Sequence, residues 1–236
     1  MTQLDIIMLT NTVNEKIFKM TSNAIKSLMD SEDLGTFNLI LIESNKNSPF
    51  VYSNVNHYIV PEEEFNYNVY LNIGNQYCSN NYSAVSNNDV IFHKKWWTHM
   101  KNAMLKYDLD TASPRSPREQ IGIIPQVEIK HRYTPESKVV MGYALVYTFC
   151  GWFWVMKKEV RDWLFPLDES FKFFYQDNDI IMRLTEKNCK HALVAKSKVD
   201  HYGQQSHKIL IENGSFIEYT EKMRFIFEDK YKKSPP

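Results

Sequence analysis

The chain has 236 residues with 28 basic and 28 acidic side chains, so its formal net charge is zero. That length suits one sizeable α/β domain, and the balanced charge excludes a general electrostatic footprint for nucleic acid or anionic lipid while leaving room for a local basic face. Aromatic residues make up 14% of the chain and glycine occurs only seven times, a mixture that either fills a core or lines a ring-stacking cleft.

The three cysteines, Cys78, Cys150 and Cys189, lack metal-ligand spacing and are expected to be reduced thiols in a cytoplasmic protein. Met1 leads into Thr-Gln-Leu-Asp with neither a basic segment nor a long apolar one, which predicts no secretory signal. No apolar run approaches the roughly 18–20 residues that cross a bilayer, so a soluble protein without stable membrane insertion is expected.

In chain order, Leu4 to Leu9 is a short apolar run closed by Thr10-Asn11-Thr12 and reads as a buried strand ending in a polar loop. Ile17, Met20, Ala24, Ile25 and Leu28 predict a helix from about Asn14 to Met29. Gly35 marks a break, and Phe37 to Ile42 is a second strand ending in Glu43-Ser44-Asn45. A strand-helix-strand order of this length is a right-handed crossover between parallel strands. Ligands of such sheets sit at the carboxyl ends of strands, which places Thr10, Asn11, Glu43 and Asn45 along one edge. Val55 to Val60 reads as a short third strand before Pro61. The Asn- and Tyr-rich stretch from Asn66 to Asn88 is expected to hold a helix between Asn75 and Val85, ahead of a strand at Val90-Ile91-Phe92.

Lys94 to Leu109 is a basic amphipathic helix with Trp97, Met100, Met104 and Leu105 on one side. Ala112 to Glu119, with two Ser-Pro steps, reads as a loop, and Ile121 to Ile129 as an edge strand interrupted by Pro125. Lys130 to Val139 is a polar connection. Gly151 divides the apolar run from Val140 to Val155, giving a strand at Trp152 to Met156 and a helix at Lys157 to Leu164. A helix follows from about Asn178 to Asn188, with Asp177 placed as its N-cap. Ala192 to Val199 is a strand ending in Asp200-His201, Ser215 to Tyr231 is a closing helix, and Lys232 to Pro236 is expected to fray.

Two clusters carry chemistry. Asn87-Asn88-Asp89 runs into an apolar strand. Asp89 suits a hard divalent cation, which takes one or two carboxylates and leaves other positions to water and phosphate. A solvated Asx turn is the alternative. The second cluster is Asp168-Glu169, Phe171, Gln176-Asp177-Asn178-Asp179, Arg183 and His201, in that order after Gly151. Asp179 and Arg183 stand at the i, i+4 spacing of a helical ion pair.

Read together, these pieces resemble a nucleotide-sugar glycosyltransferase of the GT-A fold, most like glycosyltransferase family 2, over nearly the whole chain from Asp5 to about Tyr231. Asn87 stands where family members often carry the first acid of an Asp-x-Asp motif, and Gln176 where they carry Glu. The resemblance implies a single α/β domain with a Rossmann-like, mostly parallel central sheet flanked by helices. It divides the chain into a donor-binding half (residues 1–92), an acceptor-binding and catalytic half (93–206) and a C-terminal helix and tail (207–236). It implies Thr10, Asn11, Glu43, Asn87 and Asn88 at the donor, and Trp152, Asp168, Glu169 and Gln176 at the acceptor, with core packing as the alternative for Trp152 and Trp154.

Sugar transfer needs a cation to neutralise the leaving diphosphate and a base beside the acceptor hydroxyl. Asp89 and His201 suit Mn²⁺, or Mg²⁺ less well. Asp177 suits the base, kept ionised by the helix N-terminus. The expected function is metal-dependent, inverting transfer to a glycan. The compact chain also resembles small phage-encoded transferases, some of which act on hydroxymethylated bases in DNA, and Lys94, Lys95, Lys101, Arg115, Arg118, Lys130 and Arg132 would then form a basic acceptor face. A nucleotidyltransferase and a non-catalytic nucleotide-sugar-binding module are the competing expectations.

Overall fold

The computed structural model describes residues 4–33, 35–116, 139–203 and 216–232. The chain begins with strand β1 (Leu4–Thr10), helix α1 (Glu15–Ser31) and strand β2 (Phe37–Glu43). β1 and β2 pair in parallel, Leu4 opposite Phe37 and Thr10 opposite Glu43, as the crossover pattern predicts. The Asn14 side chain starts α1 by accepting the Ile17 N–H at 3.0 Å. Strand β3 (His57–Ile59), helix α2 (Tyr67–Asn75), strands β4 (Tyr82–Ser86) and β5 (Val90–Phe92), helix α3 (Trp96–Tyr107) and strand β6 (Thr111–Arg115) follow. The described chain then continues with strands β7 (Val139–Met141) and β8 (Phe153–Lys157), helices α4 (Lys158–Leu164) and α5 (Gln176–Glu186), strand β9 (His191–His201) and helix α6 (Phe216–Tyr231).

The described strands form one mixed sheet in the order β3-β2-β1-β4-β8-β6-β9-β5, with β7 against β9. The amino-terminal half is parallel. β8 then runs antiparallel between β4 and β6, and β9 is parallel to β6. Alternation along β1 shows why helices cover both faces. Leu4, Ile6 and Met8 pack with α1 and α3 on one side. Ile7 packs with α2, α4 and α5 on the other.

Four expectations are corrected. The helix of the Asn-rich stretch is α2, earlier than the predicted 75–85, and Tyr82–Ser86 is a strand beside β1. Amides that look like loop signals are structural here. Asn66 caps α2, accepting the Asn68 N–H at 3.0 Å. Asn68 and Asn72 donate to the carbonyls of Asp168 and Leu167. The Ser-Pro loop begins instead as β6, where Pro114 sits at a register shift, a position that spares the sheet its missing N–H. Val139 opens β7 rather than ending a connection. Asp177 is not an N-cap, because α5 starts at Gln176, two residues earlier than expected, after a left-handed Tyr175 at φ 60°. The segments predicted at Ile121 to Ile129 and Lys130 to Lys138, together with Arg118, Arg132 and the tail beyond Lys232, lie outside the described residues.

At the amino edge of the sheet the fully buried Asp5 carboxylate accepts the Ser79 and Asn80 backbone N–H groups at 2.8 and 2.7 Å and the side-chain amides of Asn38 and Asn80. Arg161 stands 3.5 Å away and donates to Ser83 Oγ at 2.6 Å. Removing one partner of such a buried pair strands the other charge. Asp5→Ala is expected to lower unfolding stability by about 3–5 kcal/mol, read as a fall in urea midpoint at constant m-value.

Candidate functional site

β8 enters the sheet through Cys150-Gly151-Trp152, and this turn is the hub of the site. Its antiparallel register sets Phe153 opposite Ser86, and the Asn87 N–H donates to the Trp152 carbonyl at 2.8 Å. A cleft of about 340 Å³ opens here, lined by Asn87, Gly151, Trp152, Gln176 and Asp177 and walled by Tyr67, Phe173, Phe174 and Tyr175.

Asp177, in the first turn of α5, projects against Gly151 so closely that a Cβ at Gly151 would fall onto its carboxylate. Any larger residue at 151 would therefore displace the Asp177 carboxylate. The carboxylate lies among apolar and aromatic walls, and burial pushes it up to about 6. This reverses the expected effect of the helix N-terminus, since desolvation outweighs the dipole. The nearby Tyr67 hydroxyl is raised by its own burial and then by the Asp177 charge.

Trp152 joins this carboxylate to a second pair. Its indole stacks on the His201 imidazole with ring centres 4.8 Å apart and planes 10° from parallel. His201 ends β9 and pairs with Val90 in the β5 register, which brings its Nε2 to 3.2 Å from Asp89 Oδ1. That oxygen is buried and has no aligned hydrogen bond. Among the described residues no group of three or more His, Cys, Asp or Glu side chains converges as a cation site. Asp89 and His201 thus meet as a pair of oxygen and nitrogen ligand types, without a third such side chain among the described residues.

Of the other predicted donor residues, Thr10, Glu43 and Asn88 belong to an internal polar layer at the carboxyl ends of β1 and β2. Asn88 donates to Thr10 Oγ1 and Thr21 Oγ1 at 3.0 and 2.9 Å. Glu43 Oε1 accepts the Thr12 and Asn45 backbone N–H groups at 2.9 and 2.8 Å. The second Glu43 oxygen is buried without a hydrogen-bond partner. Thr12 Oγ1 also meets the Tyr52 hydroxyl at 2.6 Å. Asn11 is exposed.

On the acceptor side, Trp152 and Gln176 line the cleft, and the buried Gln176 Oε1 has no hydrogen-bond partner. Asp168 and Glu169 do not line it. Asp168 pairs with Lys230 at 2.6 Å and accepts the Ser170 N–H and hydroxyl. Burial raises the Asp168 carboxyl, but these partners together overcome it and hold it at about 2. Glu169 accepts from Asn72 Nδ2 at 3.0 Å. Asp179 does not pair with Arg183. It is buried against α6, where Lys230 Nζ and the Tyr231 hydroxyl each lie 2.6 Å from its Oδ1. Trp154 is core.

The sequence reading missed Tyr67, Thr12, Thr21 and Tyr52. Only Thr12 stood beside a motif already chosen, and no local signal marks the others. No protein-family model matches the chain, and no curated protein is detectably similar to it in sequence.

The raised Asp177 carboxyl has a thermodynamic consequence. Its folded value of about 6 exceeds the ordinary 3.8, so the folded state binds the proton more tightly. The sign of linkage is then negative: stability falls as pH rises from about 4 to about 6 and stays lower above that. Asp177→Asn removes the buried charge and is expected to stabilise the protein at pH 7.5 by roughly 1–3 kcal/mol, with no gain at pH 3.5. Denaturant titrations at the two pH values measure both.

Proposed function

We propose that the chain is an inverting, metal-assisted glycosyltransferase that moves a sugar from a nucleoside-diphosphate donor to a hydroxyl of a ring-shaped acceptor, either a glycan or a modified base. The observation that carries this reading is the Gly151-Trp152 turn, which holds the Asp177 carboxylate against one residue and the Asp89–His201 pair against the next. A base and a cation-competent pair beside one aromatic cleft are the parts the reaction needs.

Asp177 takes the acceptor proton as the acceptor oxygen attacks the anomeric carbon. The carbon–oxygen bond to the diphosphate breaks and its electron pair leaves with the phosphate, inverting the centre. A carboxylate near 6 is mostly ionised at neutral pH and still basic enough to receive that proton. The aromatic walls offer faces on which the acceptor ring stacks and exclude water that would hydrolyse the donor. Asp89 and His201 would hold Mn²⁺ or Mg²⁺, which when bound supplies charge neutralisation for the leaving diphosphate. The polar layer around Glu43, with its unpartnered oxygen, lies at the strand ends where the nucleoside would bind.

Nucleoside diphosphate release, measured across a panel of nucleotide sugars with added Mn²⁺, tests the reading. Wild-type protein is expected to release diphosphate with one donor and faster with an acceptor. Asp177→Asn is expected to lose roughly 10²–10⁴-fold in rate while binding the donor by calorimetry as tightly as wild type. Undiminished turnover in this variant contradicts the assignment of the base. Donor binding without release by wild type points to a binding module instead.

The pH profile gives a second check. Only ionised Asp177 accepts a proton, so the rate is expected to rise tenfold per pH unit below about 6 and level off above it. A rate independent of pH between 4.5 and 7.5 contradicts this.

A further inference from the structure

A second groove, of about 250 Å³, lies on the opposite face of the sheet, between α3 and the β7–β9 ribbon. Val139 and Val194, paired across β7 and β9, form its floor. Its rim is basic. The α3 side lines it with His99, Asn102 and Lys106 at helical spacing, and Lys95, just before the helix, stands within electrostatic reach of His99. The β9 side lines it with Lys196, and Lys198, two residues on and within electrostatic reach of His99, lies on the same face of the strand while Ser197 and Val199 are buried.

These charges are close enough to act on one another. The His99 imidazole is held below its ordinary range, first by burial and then by Lys196, with Lys95 and Lys198 adding to the effect and Glu32 opposing it. The neighbouring acids do not neutralise the rim. Glu32 is engaged by the Thr98 N–H and hydroxyl, Asp200 by His93, and Asp108 by Lys157 and Lys190. Among the described residues no carboxylate forms an ion pair with Lys95, Lys106, Lys196 or Lys198. A chain of zero net charge thus concentrates cations on one rim, a potential that favours a bound anion.

Tyr107 supplies a second kind of contact. It is 43% exposed at the end of α3, lines the same groove, and has the Lys106 ammonium 5.0 Å from its ring centre. A cationic track beside an exposed aromatic ring is the combination that holds single-stranded nucleic acid, with lysines on phosphates and the ring under a base. Lysine contacts phosphate as a point charge, without the fixed fork that reads base edges.

We propose that the groove between α3 and β9 binds single-stranded nucleic acid without sequence preference, through Lys95, Lys106, Lys196 and Lys198 on the backbone and Tyr107 stacked on a base. The surface is separate from the cleft at Asp177 and does not rest on the glycosyltransferase reading. Of the basic residues singled out in the sequence, Lys95 belongs to it, whereas Lys94 is turned to the Asp30 carbonyl.

Fluorescence anisotropy with a labelled single-stranded oligonucleotide of mixed sequence tests the proposal. Wild type is expected to bind at low salt, with log affinity falling linearly in log salt. The double variant Lys196→Glu/Lys198→Glu is expected to bind at least about tenfold more weakly and to lower the salt slope by about 1.4, at roughly 0.7 for each phosphate contact on a single strand. Tyr107→Ala is expected to weaken binding by roughly tenfold with the salt slope unchanged. Lys158→Glu, on the far face of the sheet, is expected to bind as wild type. All of these side chains are at the surface, so unchanged melting temperatures would show that the variants are folded. Absence of wild-type binding, binding by the double variant equal to wild type, or an inert Tyr107→Ala together with equally tight binding of a sulfated polysaccharide would each overturn it.

Discussion

The antiparallel insertion of β8 between β4 and β6 is the constraint on which the rest depends. A sheet that begins as parallel strands could have continued so, with its ligand site formed at strand ends alone. Instead β8 runs the other way, with Ser86 opposite Phe153. Its incoming turn therefore arrives where β4 finishes. The Asn87–Trp152 hydrogen bond locks that arrival, and a one-residue slip would turn every side chain of β8 to the other face. Gly151 then lies under Asp177, and Trp152 lies on His201.

Placing Asp177 there costs stability, because a carboxylate in an aromatic cleft prefers its neutral form. The helix that carries it is held by α6. Lys230 bridges Asp168 and Asp179, Tyr231 donates to Asp179, and Phe227 packs with Phe171 and Met182. α6 thus fixes α5, and its Thr220 also reaches the cleft. Asp168 and Asp179 are thus tied to α6 through Lys230 and Tyr231, although Asp179 Oδ2 is buried without a hydrogen-bond partner, and Asp177 alone of the three faces the cleft. Three acids in one stretch of sequence have two different physical assignments, decided by which groups face them.

This separation explains what was legible in the sequence. Period-2 and helical patterns marked β1, α1, β2, α4 and β9 closely, because each buries a regular apolar set. The meeting of Asp89 and His201 was also legible, since both were assigned to strand ends of one sheet. Tertiary satisfaction of polar groups was not. Asn68 and Asn72 look like loop residues until the 167–169 segment supplies their partners. Pro114 looks like a strand breaker until the bulge beside it is seen. Asp168 and Glu169 read as acceptor residues because the lysine and amide that bind them lie 62 and 97 positions away. Gly151 was visible as a divider of an apolar run, but its contact with Asp177 depends on the packing of α5.

The central claim is that the Gly151-Trp152 turn couples a base to a cation-competent donor site. Titrating Mn²⁺ with a nucleoside diphosphate into isotopically labelled protein, and following the His201 imidazole and Trp152 indole signals by NMR, tests it most directly. Paramagnetic broadening of both signals is predicted. His191, buried between Thr111 and the Thr148 carbonyl, should stay sharp, and Asp89→Ala should abolish the effect. Sharp His201 and Trp152 signals at saturating Mn²⁺ and nucleotide, or equal broadening in the Asp89→Ala protein, would contradict the account.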